Sequence, residues 1–175
     1  MGKKTIRFGL NTKDINRAIR EVTEFKQDFL EKVDTYRKRI AEEIAVNASL
    51  LFANSVVDDV IQGSPRRPDV QVTVDERGGI SVVVASGEDA VWCEFGAGVY
   101  HNGSAGSSPN PYGADLGFTI GSYGKGYGKQ SAWGYYDEDG QLVITRGTPA
   151  TMPMYNSVQE VARKSIEIAR GVFGA

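Results

Sequence analysis

The side chains in this chain that could do chemistry are few and scattered. There is one histidine, His101, and one cysteine, Cys93. A general base needs a nucleophile to deprotonate or a carboxylate to orient it. Asp115 is the only carboxylate in the long loop that carries His101, and no Gly-x-Ser-x-Gly elbow occurs. Cys93 sits between Trp92 and Phe95 in an apolar run, where nothing local lowers a thiol pKa, so it reads as a buried structural cysteine. One Cys and one His cannot make a zinc site by themselves. Glu94 lacks the second carboxylate at fixed spacing that acid–base hydrolysis needs. It reads instead as an acceptor, either for backbone N–H groups of the glycine turn after it or for an arginine.

The glycine-rich segment 121–129, GSYGKGYGK, invites a phosphate-loop reading. A phosphate loop needs Gly-x4-Gly-Lys-Ser/Thr between a strand and a helix. Here Gln130 follows Gly128-Lys129, the first glycine of the pattern falls on Tyr123, and no helix pattern begins there. The same segment interleaves Lys125 and Lys129 with Tyr123 and Tyr127, residues that could stack on single-stranded nucleic acid. Two lysines make a weak electrostatic footprint, and a protein-facing loop accounts for the same residues. No catalytic, cofactor-binding or metal-binding residue is expected.

Composition narrows the classes further. The chain has 175 residues, 41% of them hydrophobic and 24% charged, with a formal net charge of −2. That suits one domain over residues 1–175, without the basic balance of a nucleic-acid binder. A lone cysteine fits a reducing compartment. No apolar run approaches the roughly 20 residues that span a bilayer, and the N-terminus has no apolar core of a secretory signal.

The elements that would position these residues follow from periodicity. Residues 11–62 contain neither Pro nor Gly, and Ile15, Ile19, Val22, Phe25, Phe29, Val33, Tyr36, Ile40, Ile44 and Leu51 recur mostly at spacings of three and four. This is one apolar stripe on a helix capped by Asn11-Thr12. So long a helix would outrun a small domain, so it should either break near residues 25–28 or project to a neighbour. Gly63-Ser64-Pro65 should end it. Residues 70–74 and 80–85, around Arg77-Gly78-Gly79, read as a β-hairpin. Residues 133–136 and 142–145, around residues 137–140, read as a second hairpin. Pro153 opens a final helix.

The expected class is α+β: an antiparallel sheet of four strands, or five if TIRFG within residues 4–10 joins an edge. The long N-terminal helix and the C-terminal helix should pack on this sheet. The expected core is Val70, Val72, Val74, Val82, Val84, Met154, Val158, Val161 and Ile168. Residues 96–132 form a Gly/Tyr-rich loop between the hairpins. Residues 96–134 hold eleven glycines and four tyrosines. A stretch this poor in aliphatic side chains cannot offset its ordering entropy alone, and should order on a partner.

One order of motifs stands out. Residues 92–100, WCEFGAGVY, end an apolar run; residues 109–113, PNPYG, lie in the loop; WGYY follows at 133–136; and residues 145–154 read TRGTPATMPM. In this order they resemble the tail-completion, or head–tail joining, proteins of long-tailed phages, also described as minor tail components or neck proteins. The resemblance spans most of the chain. Ala97 stands where Thr is commoner, and Met154-Tyr155 where Phe is commoner.

The resemblance implies a structural virion protein without catalytic residues or cofactors. Such a protein forms a homo-oligomeric ring, a hexamer in that family, capping the tail tube and docking on head connector or adaptor proteins. The setting would be the neck of a phage, prophage or phage-derived particle, assembled in host cytoplasm, with DNA passing the lumen and no membrane. The alternative is a nucleic-acid-contacting accessory protein using the Lys/Tyr loop. The motif and interface residues are then Glu94, Phe95, Gly96, Gly98, Tyr100, Tyr112, Tyr123, Tyr127, Trp133 and Arg146. Phe95 should anchor a rigid corner in the core, with Gly96 or Gly98 in a backbone conformation closed to other residues.

Overall fold

A computed structural model of the chain describes residues 5–57, 60–61, 66–98, 106–120 and 132–174. The class is α+β: a long N-terminal helix, a C-terminal helix, a short helix between them and small antiparallel ladders.

Helix α1 runs unbroken over Thr12–Asn54, 43 residues or about 65 Å at 1.5 Å per residue. Its start is a reciprocal cap. Asn11 Oδ1 accepts from the Asp14 backbone N–H at 2.9 Å, and Asn11 Nδ2 donates to the Asp14 carboxylate at 2.8 Å. There is no break near residues 25–28. The helix ends at Asn54, earlier than the expected residue 62. Ser55 turns the backbone to an extended conformation, its N–H bonded to Phe52 O and its hydroxyl to Leu51 O. The β-branched Val57 and Val60 that follow go into backbone pairing instead: Val57 bridges to Arg66, and Val60 to Thr145.

Strands β1 (Gln71–Arg77) and β2 (Ile80–Ser86) form a hairpin across Gly78-Gly79, whose φ values of 54° and 88° suit the tight primed turn. The turn fixes the register, pairing Val72 with Ala85 and Val74 with Val83. Even positions of β1 therefore share a face with odd positions of β2. This corrects the expected core. Val83 and Ala85 face inward, whereas Val82 and Val84 face solvent, 37% and 36% exposed. Three consecutive valines carry no alternation of their own, so the turn decides which of them is buried.

Strands β5 (Trp133–Tyr136) and β6 (Leu142–Thr145) form the second hairpin. Its turn is held by Asp137 Oδ1, which accepts from the N–H groups of Asp139 and Gln141. The four strands do not make one sheet among the described residues; each hairpin pairs within itself. The cause lies in the segment after α1. Ile61 N–H bonds Ile144 O at 2.8 Å, so residues 60–61 occupy the β6 edge that a first-hairpin strand would need. Nor do residues 5–9 add a strand.

Residues 106–120, within the expected loop, carry regular structure. β3 (Gly106–Ser107) pairs with β4 (Thr119–Ile120), enclosing a run of turns. Upstream, α2 (Asp89–Phe95) is a short helix where the sequence shows only an apolar run.

Helix α3 (Pro153–Phe173) lies antiparallel along α1. Thr151, just ahead of it, touches Ser55, and Phe173 at its far end packs on Phe29 and Tyr36 at 6.0 and 6.2 Å. Val161 and Ile168 are buried, but Val158 is 44% exposed. The best-buried cluster is Ala48, Phe52, Val57, Ala90 and Cys93, with Val70, Val72, Ala85 and Met154 packed against it.

Candidate functional site

The residues singled out around Glu94 converge on one joint, where α2 meets the start of α3. Helix α3 begins poorly by itself. Its N-cap position is Met152, held at φ 53°, ψ 52°, with no side-chain oxygen to offer. Pro153 has no N–H, so the open donors of the first turn are those of Met154 and Tyr155. Glu94 takes both. Oε2 accepts from Met154 N at 2.8 Å and Oε1 from Tyr155 N at 3.0 Å. One residue earlier, the Cys93 carbonyl accepts from Thr151 N and Met152 N at 2.9 and 3.1 Å. A carboxylate at a helix N-terminus is favoured by the helix dipole as well as by the hydrogen bonds. Glu94 thus caps a helix about 60 residues away. It does not bind the glycine turn after it or an arginine, the roles expected for it.

The same carboxylate holds the loop at Asn110. Asn110 Nδ2 donates to Glu94 Oε1 at 2.8 Å, and both residues are buried. Asn110 Oδ1 accepts from Tyr112 N, and Ser108 Oγ donates to Phe95 O at 2.6 Å. Asn110 and Ser108 were not singled out in the sequence. Their only sign there is an Asn between two prolines, a usual turn former that offers a local hydrogen bond.

Phe95 is only half-buried. It stacks on Phe118, with 4.3 Å between ring centroids and the ring planes nearly parallel, rather than entering the main core. Gly96 and Gly98 have φ of 79° and 63°, conformations that side chains disfavour. Just past the turn, Ala97 and Thr148 exchange both backbone hydrogen bonds, at 2.9 and 2.8 Å. Gly147 passes so close that a Cβ there would lie 2.3 Å from Ala97 O. The segments 91–98 and 145–154, about fifty residues apart in sequence, are therefore neighbours along their length.

Tyr112 is exposed, its ring edge-on to Tyr155 at 6.2 Å. Arg146 is exposed between β6 and α3. Trp133 pairs with Thr145 through its backbone. Tyr100, His101, Tyr123, Lys125, Tyr127 and Lys129 lie outside the described residues.

Around the joint the electrostatics are those of support. Asp89, buried at the start of α2, accepts from both terminal nitrogens of Arg66 at 2.8 Å and from Asp69 N at 2.9 Å. The Arg66 guanidinium holds its carboxyl below the ordinary carboxylate value. Burial, with Asp89 nearby, pushes the Cys93 thiol up to about 11, so it stays protonated and unreactive near neutral pH. Among the described residues no group of three His, Cys, Asp or Glu side chains is placed to hold a metal ion. No described helix is long and apolar enough to cross a membrane.

Two surfaces are apolar and open. One is a groove of about 500 Å³ between α1, β2 and α3, lined among others by Val33, Tyr36, Ile40, Val83 and Val158. The other is the first part of α1. Beyond Phe29, where α3 ends, residues 12–28 extend about 25 Å. There Ile19 is 58% and Val22 54% exposed. Comparison with protein-family models, curated proteins and solved structures finds no match to this chain.

Proposed function

We propose that this chain is a structural subunit of a phage or phage-derived particle, one that closes with copies of itself into a ring at the head–tail joint. The observation that carries the reading is the projecting end of α1. A monomeric protein gains nothing by holding about 25 Å of helix with an apolar stripe in water, whereas a subunit meets its neighbour with it. The motif order in the sequence supports the same reading. The segments that carry it, 91–98 and 145–154, meet at one rigid joint, from which the chain enters residues 99–132. A stiff joint of this kind would aim a glycine- and tyrosine-rich segment at a docking partner, with aromatic side chains supplying contact area. A ring of identical subunits needs two different patches meeting head to tail, and the α1 end and the loop side supply them.

The test is joining itself. Heads and tails from an assembly lacking this chain should join when the purified protein is added. A Glu94→Ala protein that remains folded should join them poorly. Full joining without the wild-type protein, or none with it, contradicts the reading.

A further inference from the structure

We infer that the free edge of β2 receives a strand, and that this strand is residues 5–8 of a second copy of the chain, laid over the apolar groove between β2 and α3. The inference rests on the assembly reading above for its setting, but on separate observations for its two surfaces.

The receiving surface is built on β2. In a hairpin with a two-residue turn, the pair flanking the turn exchanges both ladder bonds, here Arg77 with Ile80. Bonded pairs recur at every second position, so the N–H and C=O groups of Ser81, Val83 and Ala85 point away from β1. Among the described residues no strand pairs with that edge. Ile80–Ser86 has no charged residue and no proline, the usual guards of an exposed edge. Ser81 and Val83 line the groove from β2, Tyr36 and Ile40 from α1, and Val158 from α3; no described residue of β1 lines it. The groove therefore lies beside the free edge, where a third strand would run. Such a strand would send alternate side chains into the groove and cover Val158, which is 44% exposed although it belongs to the apolar stripe of α3.

The donated segment is Thr5-Ile6-Arg7-Phe8, polar and apolar in alternation, the period of a strand with one buried face. It joins no ladder among the described residues, and Phe8 is 54% exposed. Its own copy cannot place it on β2. Thr5 is six residues from Asn11, at most about 21 Å of extended chain. Val33, the groove residue nearest the start of α1, lies about 31 Å along the helix from Thr12. The segment therefore reaches a β2 edge only in another molecule. The giving and receiving surfaces differ, so the contact is head to tail, as closure of a ring requires. The receiving edge belongs to the loop side: β2 leads into α2, and its Ala85 packs against Ala48 and Phe52, at the end of α1 opposite Thr12.

Sedimentation velocity of the full chain over a range of concentrations tests this, with circular dichroism to confirm that each variant is folded. Phe8→Asp spoils the donated strand and Val158→Asp the groove that receives it; both side chains are exposed in the free chain. Each substitution should weaken self-association by about 30-fold or more, as loss of a central apolar contact does. An equimolar mixture of the two variants should form heterodimers and nothing larger, because each keeps the surface that the other lacks. A fluorescent peptide of residues 1–10 should bind the Phe8→Asp protein and not the Val158→Asp protein. Association unchanged by both substitutions, or equal peptide binding by both proteins, overturns the strand site. A mixture that fails to associate overturns the pairing of these two surfaces. A wild-type chain that stays monomeric and does not bind the peptide overturns the site as well. If that chain still joins heads to tails, the assembly reading survives alone; if it does not, both fail.

Discussion

Glu94 connects three parts of the molecule through one carboxylate: α2, which carries it; the first turn of α3; and Asn110 in the loop. Glu94→Ala leaves two helix N–H groups and a buried amide without their acceptor, which should cost about 1–3 kcal/mol in denaturant unfolding. Glu94→Gln should fall between wild type and Ala, because its NH₂ must face a donor. Equal stability of all three proteins would show that the joint does not depend on the carboxylate. Asp89 gives the fold an acid dependence with a definite sign. Its folded value lies below the ordinary 3.8, so its pairing with Arg66 is fully stabilising above that pH. As pH falls through and below 3.8, the unfolded chain takes up the proton first and stability declines. Unfolding at about pH 6 and about pH 3 should therefore show a smaller acid loss in Asp89→Asn than in wild type. An identical loss would mean that other carboxylates set the acid limb.

At the scale of elements, the hairpin register makes a prediction that composition cannot. Val83→Asp should destabilise the protein by about 2–5 kcal/mol, whereas Val82→Asp, one position away and facing water, should cost less than about 1 kcal/mol. Chemical denaturation of the two variants checks it; equal losses would mean a slipped register. The turn explains how much of this could be read in advance. Both hairpins, the long helix and the Pro153 start of α3 follow from local signals: glycine turns, unbroken periodicity, a proline at N1. The division into separate ladders does not, because it depends on residues 60–61 reaching the β6 edge, a contact between distant segments. Helix α2 was hidden for a different reason: seven residues hold too little periodicity to tell helix from strand. The cap on α3 was hidden because its donor groups and its carboxylate lie about 60 residues apart. Loop order was half legible. The glycine content of residues 103–129 predicts fast amide exchange in the free chain and protection after assembly. The amides of Ser108, Gly113 and Phe118, which are bonded to Phe118, Asn110 and Gly113 carbonyls, should already exchange slowly. Uniform exchange across the segment, read by mass spectrometry, would contradict that division.

For the whole molecule, the two ends of α1 differ in kind. The later part, from Phe29, is covered by α3 and the first hairpin and builds the core; the earlier part runs on past the end of α3 with Ile19 and Val22 exposed. The Glu94 joint sits at the core end and leads into residues 99–132. In the proposed assembly a subunit uses both: the helix end for its neighbour, and the loop side for the structure on which the ring would sit. Electron microscopy of tail tubes incubated with the purified chain tests this most directly. The account predicts a ring of copies on one end of each tube, with the projecting end of each α1 against the neighbouring subunit. Bare tube ends, with the chain remaining monomeric in the same mixture, would contradict it.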